Sequence, residues 1–417
     1  MDNTTYDLTV IGGGAAGMLA AAVASNAALD VLLLERNDNL GKKLRITGKG
    51  RCNLTNDCSV EDSLRNIPTG NRFLHSAFNR FSPQDTMNFF EKLGVPLVTE
   101  RGGRVFPKSE KASDIVEALK RNLTNSGAKW EKGRAAQILV EDENLTVVLT
   151  TGRKIKSKSV ILATGGVSYP ATGSSGDGYK IAKQLGHTIT PLRASLVSLV
   201  ADPDTCKQMQ GLTLKNVQIK VFDGGKKPIY EDFGELLFTH NGVSGPLALS
   251  ASAHIREFDT KSYHMLLDLK PALDEKKLDN RILRDFEKYS NRDYANALGD
   301  LFNKTMIPVI IEKSGIPPDT KVHSISRSQR QALLSLTKEF RIDIQSLGPI
   351  EEAVITSGGV DLREINPKTM ESKIVKGLYF AGEIIDADAY TGGYNLQIAW
   401  STAYTAASSV NLLYKVI

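Results

Sequence analysis

A glycine-rich turn between two short apolar segments near the N-terminus restricts the fold more than any other feature. Residues 6–11 are β-prone and run into Gly12, Gly14 and Gly17, which have the spacing G-x-G-x-x-G. An alanine-rich stretch follows, and a second apolar segment ends in Glu35. Strand, glycine turn, helix, strand and acid are the parts of a dinucleotide-binding βαβ unit. The sequence therefore predicts an α/β fold that opens with a Rossmann-like domain.

Each part of this unit has a physical role in binding a dinucleotide. Gly12 permits the tight turn, Gly14 lets the backbone approach a pyrophosphate, and Gly17 lets the helix pack closely on the strand. The N-terminus of the helix presents unpaired N–H groups and a positive dipole to the phosphates. Glu35 can accept hydrogen bonds from a ribose diol, and its charge would repel a 2′-phosphate. We therefore expect an unphosphorylated adenosine.

The C-terminal part of the chain favours FAD over NAD. Residues 159–166 form another apolar segment that ends in small residues, and residues 377–386 again combine a strand, a glycine and an acid. Residues 392–397 then precede a small-residue helix, predicted over 398–407. A cofactor served by both ends of the chain must be extended, as FAD is. No second G-x-G-x-x-G follows a strand, so no dedicated NAD(P)H domain is predicted.

At these motifs the chain resembles the bacterial flavoprotein family that includes aminoacetone oxidases and 3-dehydro-bile-acid reductases. The matching stretches are residues 12–17, 41–56, 103–107, 163–170, 234–240 and 377–400. The resemblance implies an FAD site built from Gly12, Gly14, Ala15, Ala16, Gly17, Glu35, Arg36, Lys42, Lys43, Thr47, Gly48, Gly50, Arg51, Cys52, Asn53, Ala135, Thr164, Gly165, Gly382, Glu383, Asp386, Gly393, Tyr394, Asn395, Leu396 and Gln397.

The loop at residues 47–53 supports this assignment independently. Its glycines alternate with Lys49 and Arg51, which combines close backbone approach with positive charge. Such a loop suits a phosphate or a reduced flavin. The alternative interpretation is a flexible, solvated basic loop.

The dinucleotide segments flank a block of different character. We predict a discontinuous FAD-binding domain over 1–190 and 355–417, with an inserted substrate-side domain over 191–354. The insertion is predicted to be β-rich over 191–271 and 340–354 and helical over 272–339, because alternating patterns give way to charged helical ones. Its role as a lid over the flavin follows from topology and from the family resemblance.

The chain offers few candidates for catalysis beyond the cofactor. Tyr169 follows a strand end and His240 lies in a predicted turn, so both are candidates for proton transfer. Packing explains Tyr169 equally well, and an ordinary turn histidine is the simpler interpretation of His240. A redox role for Cys52 is conceivable, but a small buried thiol is favoured. The spacing of histidines and cysteines predicts no metal site.

Composition limits the compartment and the partners that we expect for this chain. Three cysteines in 417 residues predict a reducing compartment without disulfides. The 52 basic and 47 acidic side chains leave a thin surplus with mostly mixed runs, so we expect no nucleic-acid partner. The longest apolar stretch, residues 15–29, is too short and too rich in alanine to span a membrane. We expect a cytoplasmic enzyme with a small-molecule substrate, and the sequence predicts no oligomeric state.

The favoured function is a reductase in which transiently bound NAD(P)H supplies hydride, through flavin N5, to an activated C=C such as a steroid enone. The alternative is an oxidase of a small amine such as aminoacetone, with O₂ as acceptor. A third possibility is a flavin-binding protein without turnover, associated with RNA or acting as a redox sensor. That possibility requires a basic surface on the insertion.

Overall fold

The computed structural model of the protein describes residues 4–141 and 144–415, and the chain divides into two compact units. The first unit runs to Ser195 and resumes at Ile350, while the second is Leu196–Pro349. The strands of the first unit are β1 (Thr5–Ile11), β2 (Val31–Glu35), β3 (Thr55–Asn56), β4 (Leu97–Glu100), β5 (Arg104–Pro107), β6 (Lys129–Lys132), β7 (Ala135–Glu141), β8 (Asn144–Leu149), β9 (Lys154–Leu162), β10 (Arg193–Ser195), β17 (Ile355–Ser357) and β18 (Leu378–Phe380). Its helices are α1 (Ala15–Ser25), α2 (Lys42–Ile46), α3 (Val60–Arg65), α4 (Asn71–Arg80), α5 (Pro83–Lys92), α6 (Ala112–Asn125), α7 (Asp177–Gln184) and α14 (Tyr394–Lys415).

A seven-stranded sheet forms the centre of the first unit. Its strand order is β6-β2-β1-β9-β8-β7, and β18 also pairs with β9. Strands β6, β2, β1, β9 and β18 are parallel, whereas β7, β8 and β9 form an antiparallel meander. All five residues of β2 are buried, as expected of a parallel strand covered on both faces. This confirms the predicted Rossmann-like α/β domain.

The alanine-rich helix α1 and the C-terminal helix α14 contribute to the core beside this sheet. Small side chains let α1 approach closely, and Ala20, Ala21 and Ala24 are fully buried. Helix α14 begins four residues before the predicted helix and continues beyond it, to Lys415. Its hydroxyl side chains, such as Thr405 and Ser409, donate to carbonyls one turn earlier, so the helix can bury polar residues.

Two small sheets complete the first unit. Strands β3, β5 and β4 form an antiparallel sheet beside the predicted cofactor loop. Strands β10 and β17 pair where the chain leaves the first unit and returns to it. Buried Asp388 binds both of these strands, since its carboxylate accepts hydrogen bonds from Ser195 Oγ and Ser357 Oγ, each at 2.9 Å.

The second unit contains a closed six-stranded antiparallel barrel. The strand order is β11-β14-β13-β12-β15-β16, with β11 (Leu199–Ala201), β12 (Thr213–Phe222), β13 (Tyr230–Thr239), β14 (Gly242–Ser244), β15 (Tyr263–Asp268) and β16 (Phe340–Leu347). Its helices are α8 (Pro203–Gln208), α9 (Pro246–Ser252), α10 (Glu275–Lys288), α11 (Tyr294–Ala297), α12 (Ile307–Ser314) and α13 (Arg327–Lys338). Burial alternates along β15, as in a strand with one face toward a core. No helix within residues 4–141 and 144–415 is both long and apolar enough to cross a membrane.

Buried His187 links two positions of the first unit that precede β18, Glu364 and Ser372. Ser372 Oγ accepts the N–H groups of Ile374 and Val375, so its own proton is directed at His187 Nε2, at 2.8 Å. The Nδ1–H of His187 then donates to Glu364 Oε2, at 3.1 Å. Burial lowers the pKa of His187, although the Glu364 carboxylate acts in the opposite direction. Because Ser372 is buried and already accepts two N–H groups, this Ser–His–Glu arrangement is structural.

This histidine predicts a pH dependence of stability. Its pKa is lower in the folded chain than its ordinary value of 6.5, so the unfolded chain takes up the proton first as pH falls. Stability should therefore fall as pH drops from about 6.5 toward the folded-state pKa. We expect His187→Gln to be less stable at neutral pH and to lose part of this slope. Urea unfolding at several pH values measures it, with exposed His323→Gln as control. Equal slopes in wild type and His187→Gln would contradict the assignment.

Candidate functional site

The candidate site lies at the carboxyl ends of the parallel strands. The backbone continues the sheet pattern here, because Ala163 N donates to Ile11 O at 2.9 Å and Ala381 N donates to Leu162 O at 3.0 Å. The ends of β1, β9 and β18 therefore meet at one edge. This edge brings the glycine turn, Thr164–Gly165 and Gly382–Glu383 together. Ligands bind at such edges in open α/β sheets.

Close packing explains two of the three fingerprint glycines. Gly12 has a φ of +112°, and a methyl group on it would lie 2.4 Å from the Ala163 carbonyl oxygen. A methyl group on Gly17 would lie 1.8 Å from the Gly12 carbonyl oxygen. Gly14 differs, because a methyl group there would meet no atom within 4 Å. Gly14 also precedes α1, whose N-terminus has no side-chain cap and no acid in its first turn. This open space at a helix N-terminus suits a phosphate.

Glu35 is buried at the end of β2, and the turn around it fixes its carboxylate. Oε2 accepts the N–H of Gly13 at 2.7 Å, while Oε1 accepts both the N–H and the Nδ2 of Asn37 at 2.8 Å. Asn37 Nδ2 also donates to the Thr172 carbonyl at 3.0 Å. Asn37 therefore orients Glu35, a role that no sequence pattern predicts. A depression of about 340 Å³ is lined by Asn37, Asp38, Asn39, Lys42 and Arg45.

A polar cluster joins α2 to the end of β18. Lys43 Nζ lies 2.6 Å from Glu383 Oε2 and donates to Ser168 Oγ at 2.6 Å. The other oxygen of Glu383 accepts Ser168 Oγ and the N–H of Thr356, each at 2.9 Å. Both members of the Lys43–Glu383 ion pair are largely buried. Lys43 and Glu383 were predicted site residues, whereas Ser168 and Thr356 were missed because their partners lie far away in sequence.

Burial raises the pKa of Tyr179 well above its ordinary value, and the nearby charges of Glu383 and Asp386 act in the same direction. The Tyr179 hydroxyl donates to the Glu383 carbonyl at 3.2 Å. Tyr179 therefore stays neutral and supports the backbone of Glu383. Because its proton is held by the Glu383 carbonyl, we assign Tyr179 a structural role.

The start of α14 is fixed to the loop that contains residues 47–53. Trp400 Nε1 donates to the Leu54 carbonyl at 2.9 Å, and Gln397 Oε1 accepts Thr55 Oγ1 at 2.6 Å. Gln397 also accepts Thr86 Oγ1 and donates to the Phe81 carbonyl, so its side chain is fully used within the protein. Gln397 is a predicted cofactor residue, and since its side chain is occupied in this way, a contact with the cofactor would have to come from its backbone.

Asn395 has a similar internal function. Its Nδ2 donates to the Ala389 carbonyl at 2.7 Å, and its Oδ1 accepts the Ala389 N–H at 2.9 Å. These bonds close the loop before α14. Gly393, with a φ of +100°, packs so closely that a methyl group would lie 2.3 Å from the Thr55 carbonyl oxygen. At this end of the site, the side chains shape the backbone that a cofactor would meet.

Two predicted cations have partners other than a phosphate. Arg36 bonds to Ser175 and to Asp177 Oδ2, the latter at 3.0 Å. Arg51 donates to Glu110 at 2.9 Å and also binds Glu100, and its guanidinium lies 4.2 Å from the centre of the Phe106 ring. The positive charge expected from Arg51 is therefore matched within the protein. Lys49 is exposed, with a left-handed φ of +57°.

The cysteine of this loop is not reactive. Cys52 is fully buried, and burial raises the pKa of its thiol above the ordinary range. Nucleophilic and redox chemistry needs the thiolate, which is not formed here near neutral pH. Its φ of +60° places it in the same left-handed stretch as Gly48 and Gly50. Cys52 therefore contributes to the shape of the loop.

The other predicted residues lie along the same segments. Ala15 and Ala16 begin α1, and a methyl group on Gly382 would lie 3.0 Å from Ala16 Cβ. Thr47 Oγ1 donates to the Lys43 carbonyl, and Lys42 Nζ donates to the Ala171 carbonyl. Ala135 begins β7, Asp386 N donates to the Val360 carbonyl, and Tyr394 and Leu396 lie in the first turn of α14.

The two catalytic candidates lie in different units. Tyr169 is in the first unit, with a left-handed φ of +50° that is unusual for an aromatic residue, and it is 38% exposed. His240 is exposed in the turn between β13 and β14 of the second unit. Among the described residues, no three histidine, cysteine or acidic side chains are grouped to hold a metal ion.

Unsatisfied polar atoms fit an extended polar ligand at this edge. Within the described part of the chain, five buried side-chain atoms have no hydrogen-bond partner: Arg51 Nε, Asn53 Oδ1, Thr146 Oγ1, Thr164 Oγ1 and Asn411 Oδ1. Three of the five, on Arg51, Asn53 and Thr164, belong to predicted FAD residues, and such atoms are rare in folded proteins. Gly14 and Gly50 add backbone with open space beside it. This combination fits a cofactor with a pyrophosphate and a polar chain, as FAD has.

Comparison with known proteins identifies the family. The model of the HI0933-like protein Rossmann domain matches residues 6–409. The chain belongs to the HI0933-like family. It is 30% identical to a 3-dehydro-bile acid delta(4,6)-reductase of Clostridium scindens, over 95% of this chain and 97% of the relative. It is also 30% identical to a ribosomal RNA dihydrouridine synthase of Escherichia coli, over 97% of this chain and 98% of that relative.

Solved structures show the same fold. A 3-ketosteroid delta1-dehydrogenase from Sterolibacterium denitrificans matches with a TM-score of 0.51 and 13% identity, over 98% of this chain and all of that one. At this identity the likeness concerns the fold alone. The comparisons confirm the resemblance seen in the sequence. The family and its reductase relative identify this HI0933-like protein as an FAD-dependent oxidoreductase.

The fingerprint glycines predict two separable defects. Gly14→Ala should fold normally, because its φ of −82° suits alanine and its methyl group meets nothing. It should lower FAD affinity about tenfold or more, since the methyl group occupies the space beside the helix N-terminus. Gly17→Ala should instead destabilise the protein, because its methyl group collides with the Gly12 carbonyl.

FAD titration and thermal unfolding measure these two effects. Gly299→Ala is the matched control, since a methyl group there also meets no atom within 4 Å and lies in the second unit. Normal FAD affinity in Gly14→Ala would show that the pyrophosphate does not lie at this helix end.

Proposed function

We propose that this HI0933-like protein reduces a C=C bond conjugated to a carbonyl group, with NAD(P)H as the hydride source and a steroid- or bile-acid-like enone as the substrate class. The supporting observation is the reductase relative of C. scindens, whose alignment covers 95% of this chain and so includes the second unit. A relative aligned only over the cofactor unit would support FAD binding but not the type of reaction.

The first unit supplies the FAD site. FAD bound here would supply hydride transfer between the nicotinamide and the substrate. Gly12, Gly14 and the N-terminus of α1 would hold its pyrophosphate, and Glu35, oriented by Asn37, would accept a hydrogen bond from its ribose. The first turn of α14 has no acidic side chain. Its N–H groups would therefore stabilise negative charge on the bound cofactor.

The reaction also needs a proton. Hydride adds to the carbon β to the carbonyl, a proton adds to the α carbon, and NAD(P)H becomes NAD(P)⁺. Tyr169 is the candidate donor, because its exposed ring carries a hydroxyl and its backbone is held in an unusual conformation. Unusual backbone conformations are concentrated at functional sites. Its neighbour Ser168 binds Lys43 and Glu383, which anchors the segment.

A second substrate has specific support. Two relatives that match nearly the whole chain at 30% and 31% identity are named ribosomal RNA dihydrouridine synthases, from E. coli and Haemophilus influenzae. The C5–C6 bond of uracil is also a C=C conjugated to a carbonyl, so the same hydride chemistry applies. The proposed reaction class is therefore common to both substrates, and the substrates differ in size and charge.

An anaerobic titration with NADH and then NADPH tests the reductase half-reaction. We expect loss of the flavin absorbance near 450 nm with at least one nucleotide, followed by reoxidation on addition of a steroid enone or a uracil-containing RNA. Flavin absorbance that neither nucleotide changes, but that a small amine bleaches, would establish the oxidase alternative. Purified protein that takes up no FAD would overturn the proposal entirely.

The proton donor has its own test. Tyr169→Phe should keep flavin reduction by NAD(P)H unchanged and slow substrate reduction about 10²-fold, because general acid catalysis contributes 10²–10⁴-fold. Stopped-flow absorbance separates the two half-reactions. Tyr179→Phe is the matched control, since its hydroxyl is buried against the Glu383 carbonyl. Equal rates of substrate reduction in wild type and Tyr169→Phe would exclude Tyr169 as the donor.

A further inference from the structure

The two units carry different shares of the net positive charge. Residues 196–349 contain 21 lysines and arginines and 20 acidic residues, so the second unit carries only one of the five surplus charges. The other four belong to the first unit. The insertion, where an RNA-associated function was expected to require a basic surface, is therefore close to neutral.

Five exposed cations lie around the β4–β5 hairpin, and we call them the hairpin patch: Lys49, Arg101, Arg104, Lys108 and Lys111. Within the described residues only Arg104 has an ion pair, a long one of 3.4 Å to Glu100. The two nearby glutamates, Glu100 and Glu110, both bind Arg51 instead. Over residues 49–57 and 100–114, six cations and four carboxylates leave a surplus of two positive charges.

The fold brings Lys49 to the hairpin although about fifty residues separate them in sequence. Gly50 O accepts the N–H of Ala112 at 2.7 Å, next to Lys111. Strand β3, which follows the 47–53 loop, pairs with β5. Arg51 also stacks on Phe106 of β5. The hairpin patch is therefore continuous with a loop that we assign to the FAD site.

We propose that the hairpin patch binds the phosphodiester backbone of an RNA strand, a proposal that rests on the second substrate of the proposed function. Unpaired lysine and arginine side chains spread along a hairpin match a chain of phosphates better than one compact anion. The glycines at the tip, Gly102 and Gly103, leave the backbone beside Arg101 accessible. A strand held here would run past the loop of the cofactor site, where a single base could be reduced.

Binding of a 20-nucleotide oligouridylate to the FAD-loaded protein tests this proposal. The test variant is Arg101→Gln/Lys108→Gln/Lys111→Gln, which avoids every residue assigned to the cofactor site. Each phosphate contact contributes about 0.7 to the slope of log affinity against log salt, so the slope should fall by about 2. Affinity at about 0.1 M salt should fall about tenfold or more. The matched control is Lys154→Gln/Lys156→Gln/Lys227→Gln, three exposed lysines elsewhere, and it should bind as wild type does.

Three results would overturn the proposal: wild type that does not bind the oligonucleotide, equal losses in both triple variants, or equally effective competition by polyphosphate at the same phosphate concentration. A raised KM for NADPH in the patch variant, with unchanged RNA binding, would assign the patch to the nucleotide instead. Flavin content and reduction by NAD(P)H are measured in the same samples. If these are normal while RNA binding is not localised to the patch, the reductase proposal stands and the docking surface fails.

Discussion

The close approach of α1 to the end of β1 is the constraint on which the cofactor unit depends. At Gly17 a single methyl group would overlap the Gly12 carbonyl, and at Gly12 it would overlap the Ala163 carbonyl. These contacts bring the glycine turn and the end of β9, which are about 150 residues apart in sequence, to one sheet edge. The same closeness leaves space beside Gly14 and exposes the N-terminus of α1 to it. The tight packing at Gly12 and Gly17 thus creates the open binding surface beside Gly14.

Much of the architecture was predictable, because its signals are local. The glycine spacing, the apolar run of β2 and the acid at its end lie within thirty residues, and each follows from backbone geometry or from burial on both faces. Side-chain partners were not predictable. Arg51 was expected to supply positive charge to a ligand, yet Glu100 and Glu110 bind it. Pairings at such separations depend on how β3 and β5 align, and the sequence carries no periodic signal for that.

A motif residue can be constrained by hydrogen bonds inside the protein as well as by a ligand. Gln397 lies in the most distinctive C-terminal motif, but its four hydrogen bonds are all internal. Asn395 likewise closes the preceding loop. Truncating either side chain would leave buried partners unsatisfied, which is costly in a protein interior. Residues of this kind are constrained by the shape of the site, so a family resemblance alone cannot separate them from residues that touch the ligand.

The charges that a substrate would meet are likewise visible only in the folded structure. In sequence, the basic residues near the hairpin alternate with acids and look like an ordinary solvated surface. In three dimensions Arg51 binds both Glu100 and Glu110, and Glu100 also pairs with Arg104, so the remaining cations have few carboxylates to neutralise them. Relatives named for a bile acid and for ribosomal RNA match the chain over the same length and at similar identity. An enone and a uracil require the same hydride and proton, so the reacting centre can be common to both. Selection between such substrates must then depend on surfaces around the flavin, where charge can change without altering the chemistry.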